Sequence, residues 1–275
     1  ALAGCGKEPL FTPLDGASTV SQEDSSLPEE SSEIPESSLP ESSEEPVADP
    51  YLGAPVPASD AVEETYFDDA IFVGDSLTYG LGAYQVLDAG RVVAHTGINP
   101  QTILTSACIE QPDGTAVTVL EAVRAAVPHK VYVMLGSNGV AFLSQSSIVE
   151  FYGEFLDEYR LRSLVKKYSD YIRYPIRAAL PDAIFYVQSV LPVTHEKETG
   201  DDRYANSKID ALNEALLTLA TEKNAYYLNV AEAIKDENGC LPAEASSDGM
   251  HFGVSTYQKW VSYLLTHTVD ESQLP

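Results

Sequence analysis

Residues 70–80 read Ala-Ile-Phe-Val-Gly-Asp-Ser-Leu-Thr-Tyr-Gly (AIFVGDSLTYG), and this order decides the expected fold. Ala70 to Val73 form a short apolar run suited to a buried strand. Gly74 breaks the run and permits a sharp turn. Residues 77–87 suit a helix despite Gly80 and Gly82. A serine at such a junction stands at the carboxyl end of a strand, where open α/β sheets place their ligands. Its backbone N–H would point out of a helix N-terminus, which favours developing negative charge. Two readings of Ser76 are open at this point. It is a nucleophile, or it only caps the helix, since Ser and Asp are both good caps.

The same alternation continues outward. Short apolar strands are expected at residues 91–94 (RVVA), 130–135 (KVYVML), 183–190 (AIFYVQSV) and 225–230. Between them, residues 115–127 have helical character. Residues 146–180 read as a helix broken near Arg162 and bent at Pro175. Tyrosines 152, 159, 168, 171 and 174 in that region read as packing and surface residues rather than a binding stripe. Residues 207–222 carry Ile209, Leu212, Leu216 and Leu219 at helical spacing, and residues 256–266 form a closing helix. Residues 195–205 read as a charged loop, and 238–250 as another loop. Strands alternating with helices five times argue a parallel sheet with helices on both faces. No run is long enough to span a membrane.

The charge excludes some functions. Residues 1–60 hold 13 of the 42 acidic residues and one of the 16 basic ones, and the remainder is acidic too. Nucleic acid is therefore not an expected partner, nor is electrostatic attraction to anionic membranes. No two of Cys5, Cys108 and Cys240 share a metal-type spacing, so no metal site is expected, and no cofactor. Cys108 and Cys240 either form a disulfide in an exported protein or remain two buried thiols, the simpler reading.

Residues 17–60 are low-complexity sequence in which Ser, Glu and Pro dominate. Such a segment cannot bury enough apolar area to offset chain entropy, and its prolines and like charges favour extension. Residues 6–60 are thus expected to be a disordered tether, with the folded domain at 61–275. Leu2-Ala3-Gly4-Cys5 resembles a bacterial lipobox. The resemblance implies that residues 1–5 are the remnant of a signal peptide and that Cys5 is lipidated, placing the domain outside the cytoplasm on the outer leaflet of a bacterial membrane.

Three expected strands end in a chemically suggestive turn, at Ser76, Gly97 and Asn138, and the last is followed by Asp248-Gly249-Met250-His251. Ser, Gly, Asn and His in that order, with an Asp three before the His, resembles the SGNH hydrolases, also called the GDSL esterase/lipase family. The tetrapeptide of the second name stands intact as Gly74-Asp75-Ser76-Leu77, and the likeness covers about residues 66–267. The resemblance implies a flavodoxin-like three-layer α/β/α sandwich with a parallel sheet of about five strands. It also implies a role for each residue. Ser76 attacks an ester carbonyl, His251 takes its proton, and Asp248 orients the imidazole. The Ser76 N–H, the Gly97 N–H and the Asn138 amide meet the oxyanion. His95 and His195 read first as ordinary loop residues, with a place at the border of the pocket as the alternative, while His129 and His267 read as surface residues. One departure stands out. The third block of the family ends in Asp, a carboxylate expected to brace its loop, and here the residue is Gly139.

The resulting expectation is a monomeric, lipid-anchored esterase acting on short acyl esters, acetyl first, of a small molecule or glycan. The connections after the strands carry Gln101, Thr102, Ser144 to Ser147 and Thr194 to Tyr204, with no apolar insertion that would roof a long acyl chain. The alternatives are a lysophospholipase or thioesterase, and a non-catalytic binding lipoprotein with this fold.

Overall fold

The computed structural model describes residues 49–173 and 183–274 of the chain. Cys5, the lipobox, the tether up to residue 48, Tyr174 and Pro175 lie outside the described residues. Five parallel strands form the main sheet: β1 (Ala70–Gly74), β2 (Val92–Ala94), β5 (Lys130–Met134), β6 (Ile184–Gln188) and β7 (Tyr226–Leu228). Their order is β2-β1-β5-β6-β7. Chain order therefore reverses between β1 and β5, and at such a switch point the carboxyl ends of the strands open a crevice.

Alternate residues face opposite layers, as the twofold period of a strand requires. Ile71, Val73, Val131, Val133, Phe185, Val187 and Tyr227 pack on one face with α2 (Val119–Ala126), α3 (Gln145–Arg173) and α5 (Asn206–Glu222). Phe72, Tyr132, Met134, Tyr186 and Leu228 pack on the other with α1 (Ser76–Ala83), α6 (Ala231–Ile234) and α7 (Val254–Thr266). The fold is the expected three-layer α/β/α sandwich. On the second face, Phe72, Tyr132 and Tyr186 stand in register and stack at 4.7 and 4.4 Å. Each such pair adds roughly 0.5–1.5 kcal/mol beyond the area it buries.

Several expectations about the chain path need correction. Residues 49–60, read as the end of a disordered tether, lie on the domain. Val56 is buried and donates its N–H to Tyr227 O at 2.9 Å, so this arm covers the open edge of β7. Residues 116–118 are not helical. They form β4 (Ala116–Thr118), antiparallel to β3 (Ala107–Glu110), and the helix starts only at Val119. Thr118 and Glu121 close a reciprocal capping box there. The Thr-x-x-Glu signal for that start was present in the sequence. The helix of residues 146–180 runs through Arg162 without a break, to Arg173. Finally, the charged loop at 195–205 contains a short helix, α4 (His195–Gly200), started by the Thr194 hydroxyl.

Cys108 and Cys240 are free thiols. Of the tyrosines on α3, Tyr152 and Tyr159 are buried, as expected of packing residues. His267 is not a surface residue, since its ring stacks on Tyr263 at 3.7 Å. No helix among the described residues is long and apolar enough to cross a membrane.

Candidate active site

Ser76 is placed by the turn between β1 and α1. A Cβ at Gly74 would lie 2.0 Å from Thr78 Oγ1 and 2.4 Å from Met134 O, so only glycine lets the chain turn this tightly against β5. Asp75 caps α1, its Oδ1 accepting from the Leu77 N–H at 3.0 Å. Ser76 is therefore the first helical residue, and its N–H has no partner inside the helix. Its hydroxyl remains half-exposed in the crevice.

The second group comes from the far end of the chain. Ser76 Oγ lies 2.8 Å from His251 Nε2, and His251 Nδ1 lies 2.7 Å from Asp248 Oδ2. Both distances are within reach for proton transfer and for orientation of an imidazole. The loop closes on itself around the carboxylate. Asp248 Oδ1 accepts from the N–H groups of His251 and Met250 at 2.8 and 3.0 Å, and from the Ser246 hydroxyl at 3.1 Å. Partial burial opposes its charge, but the Met250 N–H, the imidazole and the His251 N–H outweigh it. They hold this carboxyl well below the usual carboxylate range. It is ionised wherever an imidazole can work as a base.

Asp75 is the opposite case. It is fully buried, and burial pushes its carboxyl up to about 6 against the pull of the Leu77 N–H, Ser137, His251 and Asn138. Its Oδ2 has no hydrogen-bond partner among the described residues.

Gly97 and Asn138 follow β2 and β5, the strands flanking β1. Gly97 has φ +85°, a conformation that glycine adopts without the strain a side chain would bring. Asn138 Nδ2 donates to Ile98 O at 3.1 Å, which ties the third turn to the residue beside Gly97. An amide nitrogen carries two N–H groups, so one is engaged by this bond. At position 139, where the family pattern has a carboxylate, the turn is closed by backbone hydrogen bonds. The Gly139 and Val140 N–H groups both donate to Gly136 O at 2.8 Å.

Two features on the elements around Asn138 were not legible in the sequence. The Tyr152 hydroxyl, on α3, accepts from the Leu135 N–H and donates to Leu135 O, so it pins the end of β5 just before Asn138. Phe142, four residues past Asn138, is 71% exposed, with the Arg203 guanidinium 5.4 Å over its ring. The connection after β5 is therefore not purely polar. His95 is exposed at the end of β2. His195 also lies outside the Ser76–His251–Asp248 chain and pairs instead with Glu198 at 3.1 Å. A cleft of about 340 Å³ opens beside Asp248, lined by Thr194, Glu196, Lys197, Asp201, Ser246 and Ser247 among others.

In chemical terms the crevice holds a hydroxyl in contact with an imidazole, an imidazole oriented by an ionised carboxylate, and N–H donors at the adjoining strand ends. That arrangement suits acyl transfer.

The model of a family described as GDSL-like lipase/acylhydrolase matches residues 72–259. A solved structure described as a platelet activating factor from Streptococcus pneumonia superposes with a TM-score of 0.50 at 19% identity, covering 71% of this chain and 81% of its own. An acylhydrolase from Bacteroides fragilis gives 0.50 at 14% identity, covering 76% and 88%. At these identities the structural likeness is one of fold. Two curated relatives match over a short stretch. The HtpG chaperone of Clostridium acetobutylicum is 55% identical over 42 residues, 15% of this chain, and that of Halalkalibacterium halodurans 63% over 35 residues. The chain spans about 7% and 6% of the length of these two chaperones.

Proposed function

The chain belongs to the GDSL-like lipase/acylhydrolase family and is a hydrolase of ester bonds, and we propose that it is a serine esterase that removes short acyl groups, acetyl first, from a glycan outside the cytoplasm. The observation that carries the mechanism is the continuous chain Ser76 Oγ, His251 Nε2, His251 Nδ1, Asp248 Oδ2, with links of 2.8 and 2.7 Å.

In the proposed reaction Ser76 Oγ attacks the ester carbonyl while His251 Nε2 takes its proton. The carbonyl oxygen becomes an oxyanion, received by the Ser76 N–H, the Gly97 N–H and the second Asn138 N–H. His251 then protonates the leaving alcohol, and an acyl-serine remains. Water, deprotonated by the same imidazole, releases the acid and restores Ser76. Asp248 stays ionised throughout and stabilises the imidazolium.

The polar cleft beside Asp248 supports a hydroxyl-rich alcohol portion such as a sugar. Exposed Phe142 favours a second reading, in which an apolar acyl chain is gripped and the enzyme is a lysophospholipase or thioesterase. A series of p-nitrophenyl esters separates the two. An apolar groove would gain about 0.8 kcal/mol per methylene, roughly fourfold in rate. The short-acyl reading expects acetate over butyrate and little cleavage of decanoate, and an optimum at long chains would replace it. The nucleophile itself is tested with a fluorophosphonate probe, which should label Ser76 and not the Ser76→Ala variant. An unlabelled native chain would mean a binding protein with this fold.

The extracytoplasmic placement rests on Cys5. Two acyl chains on that residue suffice for stable anchoring, and the Ser/Glu/Pro-rich segment after it suits a spacer. Cys5→Ser should release the protein into the medium. A variant that still fractionates with membranes would remove the anchor from the proposal.

A further inference from the structure

Beside the cleft that borders Asp248, three side chains of different donor type converge. His195 and Glu198 sit one turn apart on α4, and Cys240 comes from the loop that leads to Asp248. Their donor atoms, an imidazole nitrogen, a carboxylate oxygen and the thiol sulfur, all lie within 4.8 Å of one another. We propose that His195, Glu198 and Cys240 form a structural site for a borderline-soft divalent cation, zinc by its donor set, which clasps α4 to the loop carrying the catalytic Asp248.

The geometry fits the ion. With bonds of about 2.0–2.1 Å to nitrogen and oxygen and about 2.3 Å to sulfur, a tetrahedral zinc sets edges of about 3.4 Å for N···O and about 3.6 Å for S···O. His195 Nδ1 lies 3.1 Å from Glu198 Oε1, and Cys240 Sγ lies 3.6 Å from the same oxygen. Closing the remaining edge requires a turn of the His195 ring. That side chain is 78% exposed, so nothing packed around it has to move. The same exposure leaves room for water as a fourth ligand and an open path of entry.

The supporting groups are in place. Asn206, at the start of α5, holds both inner ligands. Its backbone N–H donates to Glu198 Oε2 at 3.0 Å, which leaves Oε1 for the ion, and its Nδ2 donates to Cys240 Sγ at 3.4 Å. Asn206 is itself fixed, since its Oδ1 accepts from the Val193 N–H at 2.9 Å and its Nδ2 donates to Val193 O at 3.0 Å. Partners of this kind orient ligands and tune a metal site. Cys240 is 4% exposed and rides on a turn closed by Asp236, whose Oδ1 accepts from the N–H groups of Asn238 and Cys240. The Asn206 N–H keeps Glu198 ionised, while burial and the nearby Glu198 charge hold Cys240 as a thiol. On binding, the thiol gives its proton to solvent and the thiolate bonds to the ion. The spacing rules that exclude a zinc site in the sequence look for pairs of cysteines. They do not see a site assembled from one cysteine, one histidine and one glutamate drawn from two segments 42 residues apart.

Alpha-helix α4 supplies Thr194's neighbours Glu196, Lys197 and Gly200 to the wall of the cleft, and the Thr194 N–H already donates to Gly249 O at 2.9 Å. An ion held by His195 and Glu198, in the first turn of α4 next to Thr194, would fix that wall. The inference is independent of the esterase reading and has its own test. The full chain, stripped with a chelator, is titrated with Co²⁺ and followed by the thiolate-to-cobalt charge-transfer absorption. The expected result is a band that saturates at one equivalent, is displaced by Zn²⁺, persists in Cys5→Ser/Cys108→Ser and is lost in Cys240→Ser. The exposed His195→Ala, which threatens no packing, should weaken cobalt binding at least ~10-fold. No band in the native chain, a band lost with Cys5 and Cys108, or unchanged affinity in His195→Ala would each overturn the proposal.

Discussion

Asp75→Asn should make the protein more stable at neutral pH and leave its stability near pH 4 almost unchanged. The Asp75 carboxyl is fully buried, its Oδ2 has no hydrogen-bond partner among the described residues, and burial pushes it from 3.8 to about 6. The folded state therefore holds this proton more tightly than the unfolded chain does. Its contribution to stability is fully present below about 3.8, is lost as the pH rises through about 6, and is absent above that. The gap is worth about 3 kcal/mol. Asparagine keeps the oxygen that caps α1 through the Leu77 N–H but cannot ionise. Its advantage over the wild type should thus grow by up to about 3 kcal/mol between pH 4 and pH 7. In a domain of this size, that corresponds to about 6–12 °C in Tm. Thermal unfolding of both proteins from pH 4 to pH 8, followed by circular dichroism, gives the difference directly. A constant offset from the amide's own packing does not matter, since only the slope is tested. A difference in Tm that stays flat across this range would refute the account of Asp75 as a buried, destabilising charge.

Two further substitutions probe the site. Asn138→Ala should lower kcat by roughly 10²–10³-fold, the scale for one oxyanion donor, with KM for p-nitrophenyl acetate little changed; a near-normal kcat would remove Asn138 from the oxyanion site. Gly74→Ala places a Cβ 2.4 Å from the Met134 carbonyl, which is backbone and cannot swing away. It should cost at least ~3 kcal/mol, measured as a drop in the urea midpoint, and a midpoint within ~0.5 kcal/mol of wild type would show that the β1–β5 contact yields easily.

The legible parts of the sequence were those with strong local pattern. The apolar runs at β1, β5 and β6 announce strands buried on both faces, and the residues at their ends announce the site, because chemistry in such sheets sits at the carboxyl ends. The hairpin of β3 and β4 has no legible signal because its strands are four and three residues long and only partly buried, so neither shows a clean period of two. The Ser/Glu/Pro composition hides Val56, whose burial depends on the edge of β7, and Tyr51 and Leu52, which pack against the same cluster. Tyr152 has no local signature either. It resembles the other tyrosines on α3, and only the tertiary fold sets its hydroxyl against Leu135. The cluster at Cys240 was hidden for the same reason, as its members are distant in sequence.

The arm over the edge of β7 has a mechanical consequence. Whatever chain precedes Asp49 transmits any pull to the domain through residues 49–62. That stretch is held by Val56 to Tyr227 O, Ser59 to Thr266 O and Val62 to Leu265 O, with the Tyr226 hydroxyl on Asp49 Oδ2. Thr266 and Leu265 are the last turn of α7, and α7 begins three residues after His251. A load applied from the N-terminal side would therefore be borne first by β7 and α7, the same helix that follows the His251 imidazole. Force would reach the site from its C-terminal half, leaving the Ser76 turn, buried against the centre of the sheet, as the fixed point against which His251 is displaced.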